Sequence, residues 1–296
     1  MSDHWKLSDI PWNRFEPGKI DPALLQLAKA ASLVEQNGAD YSRYLCEIFA
    51  GDAEFQAAAR LWGAEEIQHG QALGRWAELA DRHFDHEAAC ARFSEGYHLP
   101  EKPAGSKRGS RAGELIARCM VETGTSSYYT ALADAAQEPV LKEICRHIAA
   151  DELRHYKLFY THLKRYLEIE KPNLLQRLLV AFSRIAEAED DELAFAYHVA
   201  NEREDAVYFR PRAVHAYLRR AYAVYRRPHV ERGMAMIFKA VGLKPNGRLE
   251  AVVARLAWWL MNLRAFALEQ GGLIPPRGYR AEKGRIPPAG RGTAIA

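Results

Sequence analysis

The chain has few cysteines and no paired ones. Cys46, Cys90, Cys119 and Cys145 are scattered over 296 residues with no Cys-x-x-Cys among them, which excludes an attached rubredoxin-type iron centre and leaves no thiolate cluster to favour zinc or copper(I). All four read as reduced, partly buried thiols. Long apolar sequence is also missing: the best stretch, Ala251 to Ala265, is interrupted by Arg255 and Arg264, short of the ~18 residues that mark a membrane span. The start, Met1-Ser2-Asp3-His4-Trp5, lacks a basic-then-apolar leader. Together these absences predict a cytoplasmic protein with no membrane contact. No segment reads as a convincing strand, so the expected fold class is all-α.

What is present is ordinary in bulk and lopsided in charge. Apolar residues make up 48% and charged residues 27%, enough to bury a sizeable core. The length suits one large domain, or one domain with an extension. Residues 207–296 hold 17 Lys+Arg against 4 Asp+Glu, a net +13, while residues 1–206 hold 24 against 34, a net −10. The basic part suits an acidic partner, or it neutralises the acidic part by packing.

A duplicated phrase organises the chain. Val34-Glu35 is followed by Tyr41 and then by Glu65-Glu66-Ile67-Gln68-His69; about 87 residues later Val121-Glu122 is followed by Tyr128 and then by Asp151-Glu152-Leu153-Arg154-His155. The lone Glu precedes the Glu of its Glu-x-x-His by 31 residues in one copy and 30 in the other. Chance supplies about one Glu-x-x-His in a chain of this composition, and Glu95-Gly96-Tyr97-His98, which runs into Leu99-Pro100, reads as that chance copy in a loop. It does not supply two helical copies with the same preamble.

On a helix, positions i and i+3 share a face about 5–6 Å apart, so each Glu-x-x-His offers a carboxylate and an imidazole to one point. An interval of ~30 residues is one long helix and a turn, which returns a second helix carrying its own Glu to the same level. Two such hairpins deliver four carboxylates and two imidazoles to the centre of a four-helix bundle, the ligand set of a ferritin-like di-metal carboxylate protein. Oxygen and nitrogen donors of this kind suit iron or manganese. The expected ligands are Glu35, Glu66, His69, Glu122, Glu152 and His155.

Ligating imidazoles normally donate their other N–H to a carboxylate. Asp151 is expected to hold His69, and Glu65 to hold His155, crossing between hairpins. Three residues after its Glu the second copy has Thr125 and the first has Gly38, so a hydroxyl is expected to face the metals on one side and a gap on the other. The hydroxyl could also bond its own helix carbonyl. Tyr41, Tyr128, Tyr129 and Tyr160 are candidates for positions near the metals or in the core.

In chain order, residues 1–20 form an arm with aromatic anchors Trp5, Trp12 and Phe15. Residues 21–170 form the bundle, with helices over Asp21–Ala50, Ala53–Ala80, Arg111–Ala136 and from Pro139 to about Glu168. Residues 171–270 form a C-terminal helical extension, and residues 271–296 a flexible tail rich in Gly, Pro and Arg.

At its motifs the chain resembles the ferritin-like di-iron superfamily, and within it the soluble acyl-carrier-protein desaturases. Trp62-Gly63-Ala64-Glu65-Glu66-Ile67-Gln68-His69 fits that family's Trp-x-x-Glu-Glu-x-x-His, Ile148 to His155 looks like its Ile-Ala-Ala-Asp-Glu-x-Arg-His, and Thr125 stands where the family has a Thr. The resemblance covers roughly residues 25–170. It implies two iron ions, bridging roles for Glu66 and Glu152, terminal roles for Glu35 and Glu122, O2 activation, and electrons arriving singly from a donor such as ferredoxin through Trp62 and Asp151. The chain is also similar in plan to the arylamine N-oxygenases, but those place an extra His ligand where Ile148 stands, with His147 one residue off.

The leading expectation is a di-iron oxidase or oxygenase that oxidises an apolar substrate, free or carrier-bound, in a homodimer. Thr125, Trp62, Asp151 and Glu65 are its candidate catalytic residues. Iron handling as a ferroxidase or peroxidase is a second class, against which the long extension counts. A ferritin-like tRNA hydroxylase is a third, prompted by the basic C-terminal part; nucleic acid is the less expected partner. A non-catalytic protein that keeps the metal scaffold is the last.

Overall fold

The computed structural model describes residues 4–97, 99, 105–186 and 191–270. Among the described residues all regular structure is helical. The helices are α1 (Pro22–Gln36), α2 (Gly38–Ile48), α3 (Ala53–Ala80), α4 (His86–Gly96), α5 (Arg111–Ala135) and α6 (Pro139–Glu170). They are followed by α7 (Leu174–Ala186), α8 (Asp191–Asn201), α9 (Arg210–Val224), α10 (Arg227–Val241) and α11 (Arg248–Gln270).

Their starts are chemically marked. The Asp21 carboxylate accepts from the Ala23 N–H at 2.7 Å, with Pro22 at the first helical position, where a missing N–H costs nothing. Glu138 caps α6 through the Leu141 N–H at 2.8 Å and also accepts the Trp76 indole N–H at 2.7 Å, so one carboxylate ties α3 to α6. Asp52 caps α3 and receives the Tyr166 hydroxyl at 2.7 Å and the Arg165 guanidinium. That fastens the start of α3 to the end of α6. Lys171, with φ 48°, ends α6 just before Pro172.

The long helices form two hairpins: α1 and α2 pack on α3, α5 packs on α6, and α3 packs on α6 to join the pairs. Apolar side chains fill both ends of this bundle. One end holds Leu27, Leu33, Trp76, Tyr129 and Ile148; the other holds Leu45, Phe55, Leu115, Phe159 and Leu163. Each such side chain stabilises the fold by about 1.5–3 kcal/mol. Between the two cores lies a belt of buried carboxylates and imidazoles. The later helices cover the bundle, α8 over α1, and α7 and α10 over α5, while α11 lies on α9 and α10.

Several expectations change. The first helix is not continuous to Ala50: it breaks at Asn37, one residue after Gln36, and resumes as α2. From α8, Glu192 accepts the Asn37 amide at 3.2 Å and the Tyr41 hydroxyl, holding the break in place. Gly38 does not leave a gap. A Cβ there would stand 2.5 Å from Glu66 Cβ and 3.0 Å from Gly63 O, so its missing side chain is filled by the crossing of α2 over α3. Glu95 and Gly96 belong to α4 rather than a loop, and His98 lies outside the described residues, as does the tail 271–296. Finally, α11 passes the length and composition test for a membrane-crossing helix despite Arg255 and Arg264, and it is the single described helix to do so; only 6% of its apolar window is buried.

Candidate metal centre

Four helices each bring one or more groups to the belt between the cores. Glu35 sits in the last turn of α1, and Glu122 lies midway along α5. Glu66 and His69 share one face of α3, and Glu152 and His155 one face of α6. All six are buried, at 9% exposure or less. Their donor atoms form two overlapping quartets, Glu35–Glu66–His69–Glu152 and Glu66–Glu122–Glu152–His155, with the atoms of each lying within 4.8 Å of one another. Glu66 and Glu152 belong to both.

One atom of each group has no hydrogen-bond partner: Glu35 Oε2, Glu66 Oε1, His69 Nδ1, Glu122 Oε1, Glu152 Oε1 and His155 Nδ1. Their close approaches, such as His155 Nδ1 to Glu66 Oε1 at 2.9 Å and His69 Nδ1 to Glu152 Oε1 at 3.4 Å, lack hydrogen-bond geometry. Leaving a buried polar group unmatched costs about 1–3 kcal/mol, and more for a charged one. Six at one point call for a shared counter-charge of the kind that bound cations would supply. The donor set fits two ions that take oxygen and imidazole ligands.

The outer nitrogens are fully engaged. His69 Nε2 meets Asp151 Oδ2 at 3.0 Å and His155 Nε2 meets Glu65 Oε2 at 2.7 Å, so each carboxylate comes from the opposite hairpin. An N–H at Nε2 leaves Nδ1 with a bare lone pair pointing inward. Asp151 also accepts from the Trp5 indole at 2.7 Å and Arg154 at 2.5 Å, and lies 2.8 Å from His4 Nε2. Burial pushes Asp151 upward, but the bonds from His69, Arg154 and Trp5 outweigh it and hold its carboxyl well below the usual range.

Without cations the inner groups share protons. Burial opposes charge on both imidazoles, yet Asp151 and Glu152 raise His69, and Glu122 and Glu65 raise His155, well above the ordinary imidazole value. Burial and the neighbouring Glu152 and Glu35 carry Glu66 well upward. Glu122 is pushed up to about 8, again by burial first. For Glu152, bonds and charges of the two imidazoles overcome burial and lower it.

The remaining candidates separate. Thr125 Oγ1 donates to Glu152 Oε2 at 2.5 Å and also lies 3.2 Å from the Val121 carbonyl, so the hydroxyl faces the site and its own helix together. Tyr129 donates to Glu35 Oε1. Tyr41 is taken by Glu192, Tyr160 stacks on Tyr156, and Tyr128 packs edge-on against Tyr129. Trp62 is buried with its ring edge-on to His155, at 6.5 Å between centroids. Its indole N–H has no hydrogen-bond partner; the indole that donates to Asp151 is Trp5, which also stacks flat over His69 at 6.0 Å. His147 also stacks on Trp5, at 5.1 Å, and is not among the inner cluster's groups. The roles of His4 and Trp5 were not visible in the sequence, where Trp5 reads only as an anchor. Arg154 stood inside a recognised motif, yet its spacing to Asp151, three residues on one helix face, was the overlooked signal.

The family model described as fatty acid desaturase matches residues 40–189. The match takes in every inner ligand candidate except Glu35. No curated protein matches the chain.

Proposed function

Because the chain belongs to the fatty acid desaturase family, we propose that it is a ferritin-like di-iron oxidoreductase that uses O2 to oxidise an apolar, chain-like substrate. The observation that supports this most directly is the pair of quartets sharing Glu66 and Glu152. In this reading Glu35 and His69 would hold one ion and Glu122 and His155 the other, with Glu66 and Glu152 available to both. The ion pair would supply the redox chemistry that lets O2 attack an unactivated C–H bond; manganese would fit the same donors.

The protein's own groups then have separable tasks. Asp151 and Glu65 fix the two imidazoles by accepting their Nε2–H groups, so that both Nδ1 lone pairs face inward. Tyr129 and Thr125 donate to Glu35 and Glu152 and hold these carboxylates by their second oxygens. Thr125 is the exchangeable hydroxyl closest to a bridging group, which suits it to pass a proton. The apolar packing above and below the belt excludes water. Each turnover needs two electrons from an external donor, and the chain of contacts from His69 through Asp151 to Trp5 and His4 is the proposed entry, in place of one through Trp62. A ferredoxin-like donor, a free or carrier-bound acyl substrate and a cytoplasmic setting, where the four unpaired thiols stay reduced, complete the proposal.

The test is reconstitution with ferrous iron under argon, chemical reduction, and one exposure to O2 with free and carrier-linked acyl chains. The expected result is two irons per chain and a product lighter by two hydrogens or heavier by one oxygen. A chain that takes up no pair of metal ions would refute the proposal. Iron turnover with no organic product would favour iron handling instead.

A further inference from the structure

The inner face of α11 is well anchored. Ala254 is buried, Glu250 is buried and accepts the Asn246 N–H at 3.1 Å, and the Leu268 carbonyl lies 2.8 Å from His215 Nε2 of α9. Among the described residues the outer face has no such cover. Leu249, Val252, Leu256, Trp259, Leu263 and Phe266 are each between 51% and 62% exposed, and their numbers advance by 3, 4, 3, 4 and 3.

That alternation is the a/d spacing of a coiled-coil seam, sustained over a helix of 23 residues. Leu260, 50% exposed, borders the seam on one side, and the row Arg255, Asn262 and Glu269 borders it on the other, as the flanks of a coiled coil do. A spanning helix would put Arg255 and Arg264 inside hydrocarbon, at about 2.5–3.5 kcal/mol each. A second exposed stripe, Leu175, Leu179, Phe182 and Ile185, lies on α7, a helix of 13 residues against the 23 of α11, and so offers a shorter seam.

We propose that α11 joins two copies of this chain as an antiparallel two-stranded coiled coil, the seam of one helix filling the seam of the other. Charge selects the antiparallel order. Arg248, Arg255, Asn262 and Glu269 occupy the same flanking heptad position. Running antiparallel, with Leu256 against Trp259 of the second copy, this row faces itself: Arg248 meets Glu269 at both ends and Arg255 meets Asn262. In a parallel pair the same row would face Val253, Leu260 and Ala267, with no charge matched. The six side chains bury roughly 600 Å² per copy, about 1,200 Å² in all, the lower bound for a stable interface. A two-fold pair closes on itself and leaves no further seam open.

Light scattering and sedimentation of the full chain should give twice the 33.5 kDa of one copy. L256E/L263E should be monomeric with unchanged helical circular dichroism, since both positions face solvent in the single chain. E269R should weaken dimerisation about ten-fold by setting like charges at both ends, and R248E/E269R should restore it. Disulfide trapping should link L249C to F266C in a mixture and not link L249C to itself. A monomeric wild-type chain, a dimer indifferent to L256E/L263E, or self-linked L249C would overturn the proposal. So would sedimentation with phosphatidylglycerol vesicles that E269R strengthens, because that outcome assigns the face to anionic lipid.

Discussion

Filling the site with metal should expel about four protons per chain. In the metal-free protein the carboxylate neighbours raise both imidazoles well above their ordinary value, Glu122, pushed up to about 8, keeps its proton at neutral pH, and burial and adjacent carboxylates raise Glu66 well above the usual carboxylate range. Ligation requires bare Nδ1 lone pairs and ionised carboxylates, so these four protons must leave. The combined affinity for two ferrous ions should therefore rise with pH through the neutral range, and less steeply above about 8, where Glu122 ionises by itself. Stability of the metal-free chain should move the other way. His69 and His155 have folded values raised above 6.5, and Glu66 and Glu122 above 4.5, so their contribution is complete below those unfolded values and is lost as pH rises through the folded ones. Each such group lowers stability by up to about 1.4 kcal/mol per pH unit across its window. Asp151, Glu65 and Glu152, which are lowered, act oppositely and destabilise only on acidification below the ordinary carboxylate range. The assay is anaerobic titration in weakly buffered solution with a pH indicator, alongside melting of chelator-treated protein from pH 5 to 8. Release of one proton or none, or a metal-free melting temperature that climbs from pH 6 to 8, would refute the reasoning.

Three further outcomes follow from the same geometry. Gly70→Ala should cost about 1–3 kcal/mol, because its Cβ would lie 2.7 Å from Gln36 N and 2.9 Å from Ser32 O; Gly124→Ala, with nothing within 4 Å, should stabilise by up to about 1 kcal/mol, both read by thermal unfolding. Asp151→Asn should weaken the His69 half of the site about 10–100-fold and leave the His155 half loaded, while Glu65→Gln should do the reverse; iron analysis at limiting metal distinguishes them, and equal loss from both halves would contradict the crossed pairing. Trp5→Ala removes both the stacked ring over His69 and one donor to Asp151, so chelator should strip the site about ten-fold faster, as followed by a colorimetric iron assay.

The helices and the inner cluster could be read in advance because both obey short-range periodicity. Glu66 with His69, and Glu152 with His155, are three apart on one helix face, and duplication of the phrase separated them from the accidental Glu95 copy. The break at Asn37 had a local sign in the Asn37-Gly38 pair, which favours a turn over a helix interior; what holds it, Glu192, lies 155 residues away and had none. Gly38 was misleading for a related reason. An absent side chain makes room, but whether a ligand or another helix fills that room depends on which helix crosses there, and here α3 does. Trp5 and Asp151 are 146 residues apart and share no pattern at all. The outer face of α11 is intermediate: the 3-4 spacing from Leu249 to Phe266 was always in the sequence, but apolar residues occur around much of that helix, and any of its faces could have been the covered one. Only when Ala254, Glu250 and Leu268 are seen holding the inner side does the remaining heptad stand out as a seam that none of the described residues fills.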